Sequence, residues 1–485
     1  MRKILYIFNK TPIMSTYLFC ITLGNYDFYE GRTNTNILVR CYTPVGESST
    51  GKLAVETGIK CIEWYESYYG IPYPLEKLDM VPVSDFCCGA MENWGLILYR
   101  DARVLYTPGI TSTNDRDTLI LIVAHEIAHQ WFGNLVTNDW WTDIWLNEGF
   151  ATFMQFFCAD SIFPELKLWD IYYTKTYSSA KELDSLDSSH PILIDIENPN
   201  EISQVFDTIS YCKGAGVIRM LHEWVGADNF KKGLSVYLKE FSYKNAKTED
   251  LWRVIGRETD MPVEKVMKNW VCKKGFPFLL LQDGYISFSD GENSDWFVPI
   301  FDSLSEPRLL EPGQKLKVEG PVDPCLKGFY TVLETFSDES ELGKYSNLVR
   351  KYDMYEKGMI KLSCYLKELE RIFQTETSYL ILAEAFDKLG KISVVFDEVK
   401  VLTKKLSVGF CPEKYPEKII EQVTKEILLN GDVISDEQLE TVQKVSSLPM
   451  VLKKIIDGEE SFFDDYLKKP SLKSVIGEAI LRSVV

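Results

Sequence analysis

The stretch that decides the reading is His125-Glu126-Ile127-Ala128-His129, followed at a distance by Trp145-Leu146-Asn147-Glu148-Gly149-Phe150-Ala151. Two histidines at i and i+4 share one face of a helix, with their Cβ atoms about 5–6 Å apart, a spacing that suits a single zinc ion. Glu126 lies one residue along and points beside the metal, where it can take a proton from bound water without occupying a coordination position. The chain has only four histidines, which makes this spacing informative. A catalytic zinc needs a third protein ligand and an open fourth place. Eighteen residues separate His129 from Glu148, and the segment around Glu148 is so apolar that an unpaired carboxylate there would be costly to bury. A metal removes that cost, so His125, His129 and Glu148 form the expected ligand set for one Zn2+ per chain, with Glu126 as general base.

Working outward, Asn114 with Asp117 three residues on reads as the cap of the helix that carries the motif, running through Leu119-Ile120-Leu121-Ile122-Val123-Ala124 to near Gly133-Asn134. Upstream, Leu78–Val83 and Trp94–Arg100 read as strands around the turn-forming Ser84-Asp85-Phe86-Cys87-Cys88-Gly89. Gly89-Ala90-Met91-Glu92-Asn93 follows; its glycine permits close backbone approach to a ligand, and Glu92 is a fixed negative charge among apolar neighbours. Lys52 to about Tyr69 has helical spacing and is stopped at Gly70-Ile71-Pro72. Downstream, Ile209-Ser210-Tyr211-Cys212-Lys213-Gly214-Ala215 places a phenol at a helix start, where it can donate a hydrogen bond to a developing oxyanion.

Length and composition support a multidomain globular chain. The 485 residues are 45% hydrophobic and 26% charged, which excludes disordered, collagen-like and coiled-coil classes. A net charge of −18 argues against a nucleic-acid partner and favours cationic groups on a substrate. Eleven cysteines without a CxxC pair, together with no apolar run of membrane-spanning length, predict reduced thiols, no membrane partner and a cytoplasmic location. The start, Met1 to Phe8, resembles the opening of a signal peptide, but Asn9-Lys10-Thr11-Pro12 interrupts it. Residues 1–45 read as strands, 46–275 as the catalytic region, 276–333 as a small β-domain with turns at Asp283-Gly284, Asp290-Gly291 and Pro312-Gly313, and 334–485 as a short helical domain. The residues carry no signal for an oligomeric state.

These motifs together resemble the M1 family of zinc aminopeptidases (gluzincins). The resemblance rests on the His125-Glu126-x-x-His129 to Glu148 arrangement, on Gly89-Ala90-Met91-Glu92-Asn93 and on Ile209-Ser210-Tyr211-x-Lys213-Gly214-Ala215. Thr11-Pro12-x-Met14-Ser15-Thr16-Tyr17-Leu18, Tyr42-Thr43-Pro44-Val45-Gly46 and Asp187-x-x-His190-Pro191-Ile192 are most similar to the puromycin-sensitive cytosolic branch. It implies a multidomain α+β fold: a remnant of an N-terminal β domain, a thermolysin-like catalytic domain, a β-sandwich-like domain and a C-terminal helical domain. The implied activity is removal of the N-terminal residue from peptides with a free N-terminus. Glu92 would hold the α-amine, Gly89, Ala90, Met91 and Asn93 would line the substrate, and Tyr211 would stabilise the tetrahedral intermediate. Asp143 is a candidate partner behind the metal ligands, while His190 and His222 are expected to be structural. Family members normally open with a longer β-rich domain carrying a further Gln or Glu for the amine, so against the resemblance the sequence reads either as a fragment or as a reduced form in which Glu92 acts alone. A catalytically silent peptide-binding relative and a zinc endopeptidase are the alternatives that turnover and N-terminal acetylation separate.

Overall fold

A computed structural model describes residues 5–289, 294–303, 306–320, 322 and 327–334. Within them the fold is mixed α+β. The expected helical domain lies, from residue 335 onward, outside the described residues, as does the Asp290-Gly291 turn.

Strands β1 (Asp27–Arg32) and β2 (Leu38–Thr43) form an antiparallel pair, and helix α1 (Lys52–Tyr69) leads from them to β3 (Lys77–Val83). β4 (Ala90–Met91) and β5 (Leu96–Arg100) complete a five-stranded sheet in the order β1-β2-β3-β5-β4. β2, β3 and β5 run parallel, whereas β4 returns antiparallel along β5 with Ala90 opposite Tyr99 and Met91 opposite Leu98. A division after residue 45 therefore cuts across one continuous sheet. β2 is hydrogen-bonded to β3 from Leu38 opposite Lys77 to Cys41 opposite Met80, so residues 27–43 share one sheet with residues 77–100.

Two helices hold the motif residues. α2 (Thr113–Ala128) carries His125 and Glu126, and β6 (Val136–Asn138) separates it from α3 (Trp145–Ile162), which carries Glu148. The α2 cap is Ser112 and not Asn114: Ser112 Oγ accepts from the Asp115 amide at 3.1 Å, while Asn114 Oδ1 accepts from Lys175 Nζ at 2.7 Å and Asp117 pairs with Arg116. The S-x-x-D spacing that produces this cap begins two residues before the one the sequence suggested. The helix also ends sooner, at Ala128 with His129 as its C-cap, because the chain tightens into turns that reach Gly133 at φ +125°. Likewise β5 begins at Leu96 rather than Trp94, since Gly95 takes φ +81°, outside the strand region.

α1 packs between the sheet and α2. A Cβ on Gly58 would stand in ordinary contact with Val39, Met80 and Ile127 at 3.4–3.6 Å, which places this face of α1 against both the sheet and α2. Gly70, at φ +63°, then closes α1 in the left-handed conformation its sequence announces. From α1, the Tyr65 hydroxyl donates to the carbonyls of Ala124 and Met154 at 3.0 and 3.1 Å, tying α2 to α3. Tyr65, Tyr69, Trp131 and Trp145 are fully buried around this junction. Burial of side chains this large stabilises the packing by about 1.5–3 kcal/mol each.

Smaller elements follow: α4 (Leu168–Ile171), a π-helical turn at Tyr172–Tyr177, and α5 (Ser178–Asp184). A second π-helical turn, Ile209–Lys213, runs into α6 (Gly214–Val225), followed by α7 (Ala227–Glu240). β7 (Lys244–Ala246) pairs in parallel with β6, and α8 (Thr248–Thr259) and α9 (Val263–Cys272) complete the helical layer. Beyond Pro277 come β8 (Phe278–Gln282), β9 (Tyr285–Phe288), β10 (Val298–Ile300), β11 (Arg308–Leu310), β12 (Lys315–Lys317) and β13 (Thr331–Glu334). They form a four-stranded sheet, β12-β9-β8-β13, and a separate β10-β11 pair. Asp283 and Gly284, both at positive φ (53° and 75°), make the tight turn of the β8-β9 hairpin.

Candidate metal centre

The imidazoles of His125 and His129 and the carboxylate of Glu148 converge. The two Nε2 atoms lie 3.1 Å apart, and Glu148 Oε2 lies 3.3 Å from each. All three residues are buried, at most 9% exposed. Their outer atoms decide what the inner ones offer. His125 Nδ1 is 2.8 Å from Gln155 Oε1, and His129 Nδ1 is 3.0 Å from the Phe132 carbonyl. Those oxygens only accept, so each Nδ1 carries the proton and each Nε2 can turn a lone pair inward.

Two lone pairs and a carboxylate meeting at one point call for positive charge. Burial disfavours a charged His129, but Glu148 and Glu92 outweigh it and push its pKa up to about 10. Burial likewise acts to raise the Glu148 pKa, yet His129 and His125 hold it well below the usual carboxylate range. A proton on His129 meets the demand, and a divalent cation meets it with both lone pairs kept. Two imidazoles, one carboxylate and an open side match the donor set of a catalytic tetrahedral metal site. Among the described residues, these three are the group able to hold a metal ion.

The cluster opens on a cavity of about 480 Å³, lined among others by Tyr17, Cys88, Ala90, Met91, Glu92, Trp141, Glu148, Phe206 and Tyr211. Glu126 is buried beside the cluster. Burial, with the nearby Glu92 and Glu148 charges, raises its pKa well above the ordinary range, while His129 acts the other way. Glu92 is also buried with a raised pKa, first through desolvation. Its backbone carbonyl accepts from Asn134 Nδ2 at 2.9 Å and Gln130 Nε2 at 3.4 Å, which ties the end of the Gly89–Asn93 segment to the turns that follow the motif helix. Asn93 Nδ2 donates to the Leu18 carbonyl at 3.3 Å, and Gly89 accepts from the Arg100 amide at 2.9 Å.

Tyr211 faces the same space, with its ring parallel to His125 at a 6.1 Å centroid distance. Desolvation and the adjacent Glu148 keep its hydroxyl protonated, so it is a donor. Its position follows from a glycine pair. A Cβ on Gly149 would lie 3.2 Å from Gly214 Cα and from the Ser210 carbonyl, so the helix bearing Glu148 meets the turn bearing Tyr211 backbone to backbone. Asp207 fixes the start of that turn, accepting from the Ile209 and Ser210 amides at 3.0 Å each and lying 2.7 Å from His190 Nε2.

The structure thus brings His125, Glu126, His129, Glu148, Glu92 and Tyr211 together, with Gly89, Ala90, Met91 and Asn93 in the adjoining strand segment. Asp143 takes a different place from the one suggested for it. It accepts from the amide and hydroxyl of Thr248 at 3.0 and 2.6 Å, fastening the start of α8, and the imidazoles are oriented by Gln155 and Phe132 instead. Gln155 was legible in principle: it lies seven residues after Glu148, two turns along the same helix face. Tyr17 is a second residue the sequence did not single out for the site. Its buried hydroxyl is within hydrogen-bonding reach of Glu92 and Asn147, and it donates to the Gly133 carbonyl at 3.4 Å.

Residues 53–270 match the Peptidase family M1 domain. The chain is 44% identical over 461 residues to Aminopeptidase M1-B of Oryza sativa subsp. japonica, a match covering 87% of this chain and 51% of that protein. It is 39% identical over 363 residues to Puromycin-sensitive aminopeptidase of Caenorhabditis elegans, covering 68% and 38%. With Tricorn protease-interacting factor F2 of Thermoplasma volcanium it shares 36% identity over 414 residues, covering 80% and 52%. The chain spans about half the length, or less, of these relatives. The buried two-histidine, one-carboxylate cluster falls inside the matched stretch, and in residues 53–270 the chain carries a peptidase family M1 domain.

Proposed function

We propose that this chain is a zinc-dependent aminopeptidase, hydrolysing the N-terminal residue from peptides, with His125, His129 and Glu148 holding one Zn2+. The observation that carries the reading is the convergence of those three donors at a cavity whose wall also holds Glu92 and Tyr211, with Glu126 buried beside them. Zinc, when bound, would polarise the scissile carbonyl and acidify an adjacent water. Glu126 is the general base. Its raised pKa makes it able to accept a proton from that water and to pass it to the leaving amine. Tyr211 donates a hydrogen bond to the oxyanion as charge develops there, which favours the transition state over the ground state.

Substrate polarity is set at the other wall. Glu92 sits where a free α-amine would reach it, and a charge-assisted hydrogen bond in a desolvated site is stronger than one in water. β4 is the last strand of its sheet, so the outer edge of Ala90–Met91 is open, among the described residues, to an extended peptide adding as a further strand. Gly89 and Asn93 bracket that edge. This reading also carries a thermolysin-like architecture for the catalytic region and a cytoplasmic location. The latter is supported by eight free cysteines and by the lack of a membrane-crossing helix among the described residues.

The test uses the full zinc-loaded chain with aminoacyl arylamides and matched peptides. Cleavage of free peptides with N-acetylated ones left intact is expected, and Glu126→Gln should lower kcat by about 10²- to 10⁴-fold with zinc retained. Equal cleavage of acetylated peptides would instead make the chain an endopeptidase. Peptide binding without turnover in the zinc-loaded wild type would make it a silent binding relative.

A further inference from the structure

Immediately before the substrate-facing strand, Cys87 and Cys88 are adjacent in sequence and both exposed, with their Sγ atoms 3.6 Å apart. The pair is held in place from behind. The Arg100 guanidinium donates to the Phe86 carbonyl through Nε (3.2 Å) and Nη2 (3.0 Å), and Nη2 also reaches the Cys87 carbonyl at 3.3 Å. The same residue's amide binds Gly89 O at 2.9 Å, so the turn carrying both thiols is clamped to β5. Cys88 lines the cavity, two residues from Ala90.

We propose that Cys87 and Cys88 form a dithiol site for a trivalent arsenical at the wall of the cleft. Sulfur is a soft donor and arsenic(III) a soft acceptor. The sulfur separation is close to what two thiolates take up when both bond one pyramidal arsenic. A direct disulfide between neighbours would have to close a small ring through the planar trans peptide, which resists twisting. A bridging arsenic enlarges that ring and leaves the peptide planar. The reaction is a condensation: an organoarsonous acid, RAs(OH)2, exchanges its two As–O bonds for two As–S bonds. Each thiol proton leaves with a hydroxyl as water, and neither arsenic nor sulfur changes oxidation state. Among the described residues Cys61 and Cys158 are also close, but both are fully buried, so access distinguishes the two pairs.

An adduct there occupies the cleft beside the open edge of β4. The expected loss of activity rests on the peptidase reading given above; formation of the adduct does not. The experiment treats the zinc-loaded full chain with one equivalent of phenylarsonous acid and reads intact mass, a peptide map and arylamide hydrolysis. One adduct is expected, bridging Cys87 and Cys88, retained in excess 2-mercaptoethanol and removed by 1,2-ethanedithiol, with hydrolysis falling at least tenfold while it is present. Cys87→Ala should keep its untreated rate, give no monothiol-resistant adduct and resist inhibition, whereas Cys272→Ala should behave as wild type. A resistant adduct mapping elsewhere, persisting in Cys87→Ala, or leaving hydrolysis unaffected would overturn the proposal. A bridged adduct on a protein that hydrolyses no arylamide would sink the peptidase reading and leave the dithiol site standing.

Discussion

Two clusters of buried charge adjoin the turn that carries Tyr211, and they are resolved in opposite ways. Lys213 and Asp184 are both completely buried, with Nζ 2.8 Å from Oδ2. Lys213 also donates to the carbonyls of Lys273 and Gly275 at 3.0 Å each, and Asp184 Oδ1 accepts from Ser189 Oγ and the Gly275 amide at 2.8 Å each. Donors and acceptors match, and the pair closes on itself. His125, His129 and Glu148 are buried too, but their free valences converge on one point beside a cavity. A buried charge that its neighbours satisfy holds the fold together. One whose lone pairs are aimed at shared space is built for something the polypeptide does not supply.

The comparison can be broken by removing one member of the closed pair. Lys213→Met leaves Asp184 buried without its cation and should cost about 3–5 kcal/mol of stability. Zinc content and kcat per folded molecule should stay near wild type, and a Lys213→Met, Asp184→Leu double variant should regain much of the loss. Denaturant unfolding with metal analysis checks this, and a loss of zinc at unchanged stability would reverse the roles assigned here. Gln155→Leu probes the open cluster from behind. It removes the acceptor that orients His125, so zinc affinity should fall about 10- to 100-fold in a chelator competition, with little change in apo stability.

The smallest effect belongs to His190, at the edge between the two clusters. Its hydrogen bond to Asp207 is the main cause of a raised pKa, partly opposed by burial. A raised folded-state pKa stabilises fully below the ordinary histidine range of about 6.5, and that contribution fades as pH rises through the folded value. Because the pair is partly exposed, it should be worth no more than about 1 kcal/mol. His190→Asn should therefore flatten the decline in melting temperature between about pH 6 and 8, against the ordinary histidine value. A wild-type profile that rises over that interval would refute the assignment.

Much of this was legible in the residues because it is local. The spacing of His125 and His129 follows from the helical repeat, the run from Lys52 to Tyr69 and its Gly70 stop are periodicity and backbone sterics, and Asp283-Gly284 is a turn by conformational preference. Other features needed partners far along the chain. Ser112 took the α2 cap from Asn114, whose side chain was drawn away by Lys175. Asp143 lay close in sequence to Glu148 yet went to Thr248, 105 residues distant. No pattern of alternation revealed that β2 would pair with β3 across α1 and so carry residues 27–43 into the main sheet.

Residue type and local spacing set the chemistry: which side chains could grip a metal, which carboxylate stood beside them, and that a helix would present two imidazoles on one face. The meeting of Glu148 and Tyr211 with those imidazoles came from long-range packing. That depended on Gly149 lying against Gly214 without a side chain between them, on Gln155 and the Phe132 carbonyl turning each Nε2 inward, and on Asn134, in the turns after the motif helix, holding the Glu92 carbonyl. The physical reason is range. Helical spacing is set by bonds and neighbours within a turn or two, whereas a site assembled from residues 17 to 211 is set by close packing and by the need to satisfy every buried polar group at once.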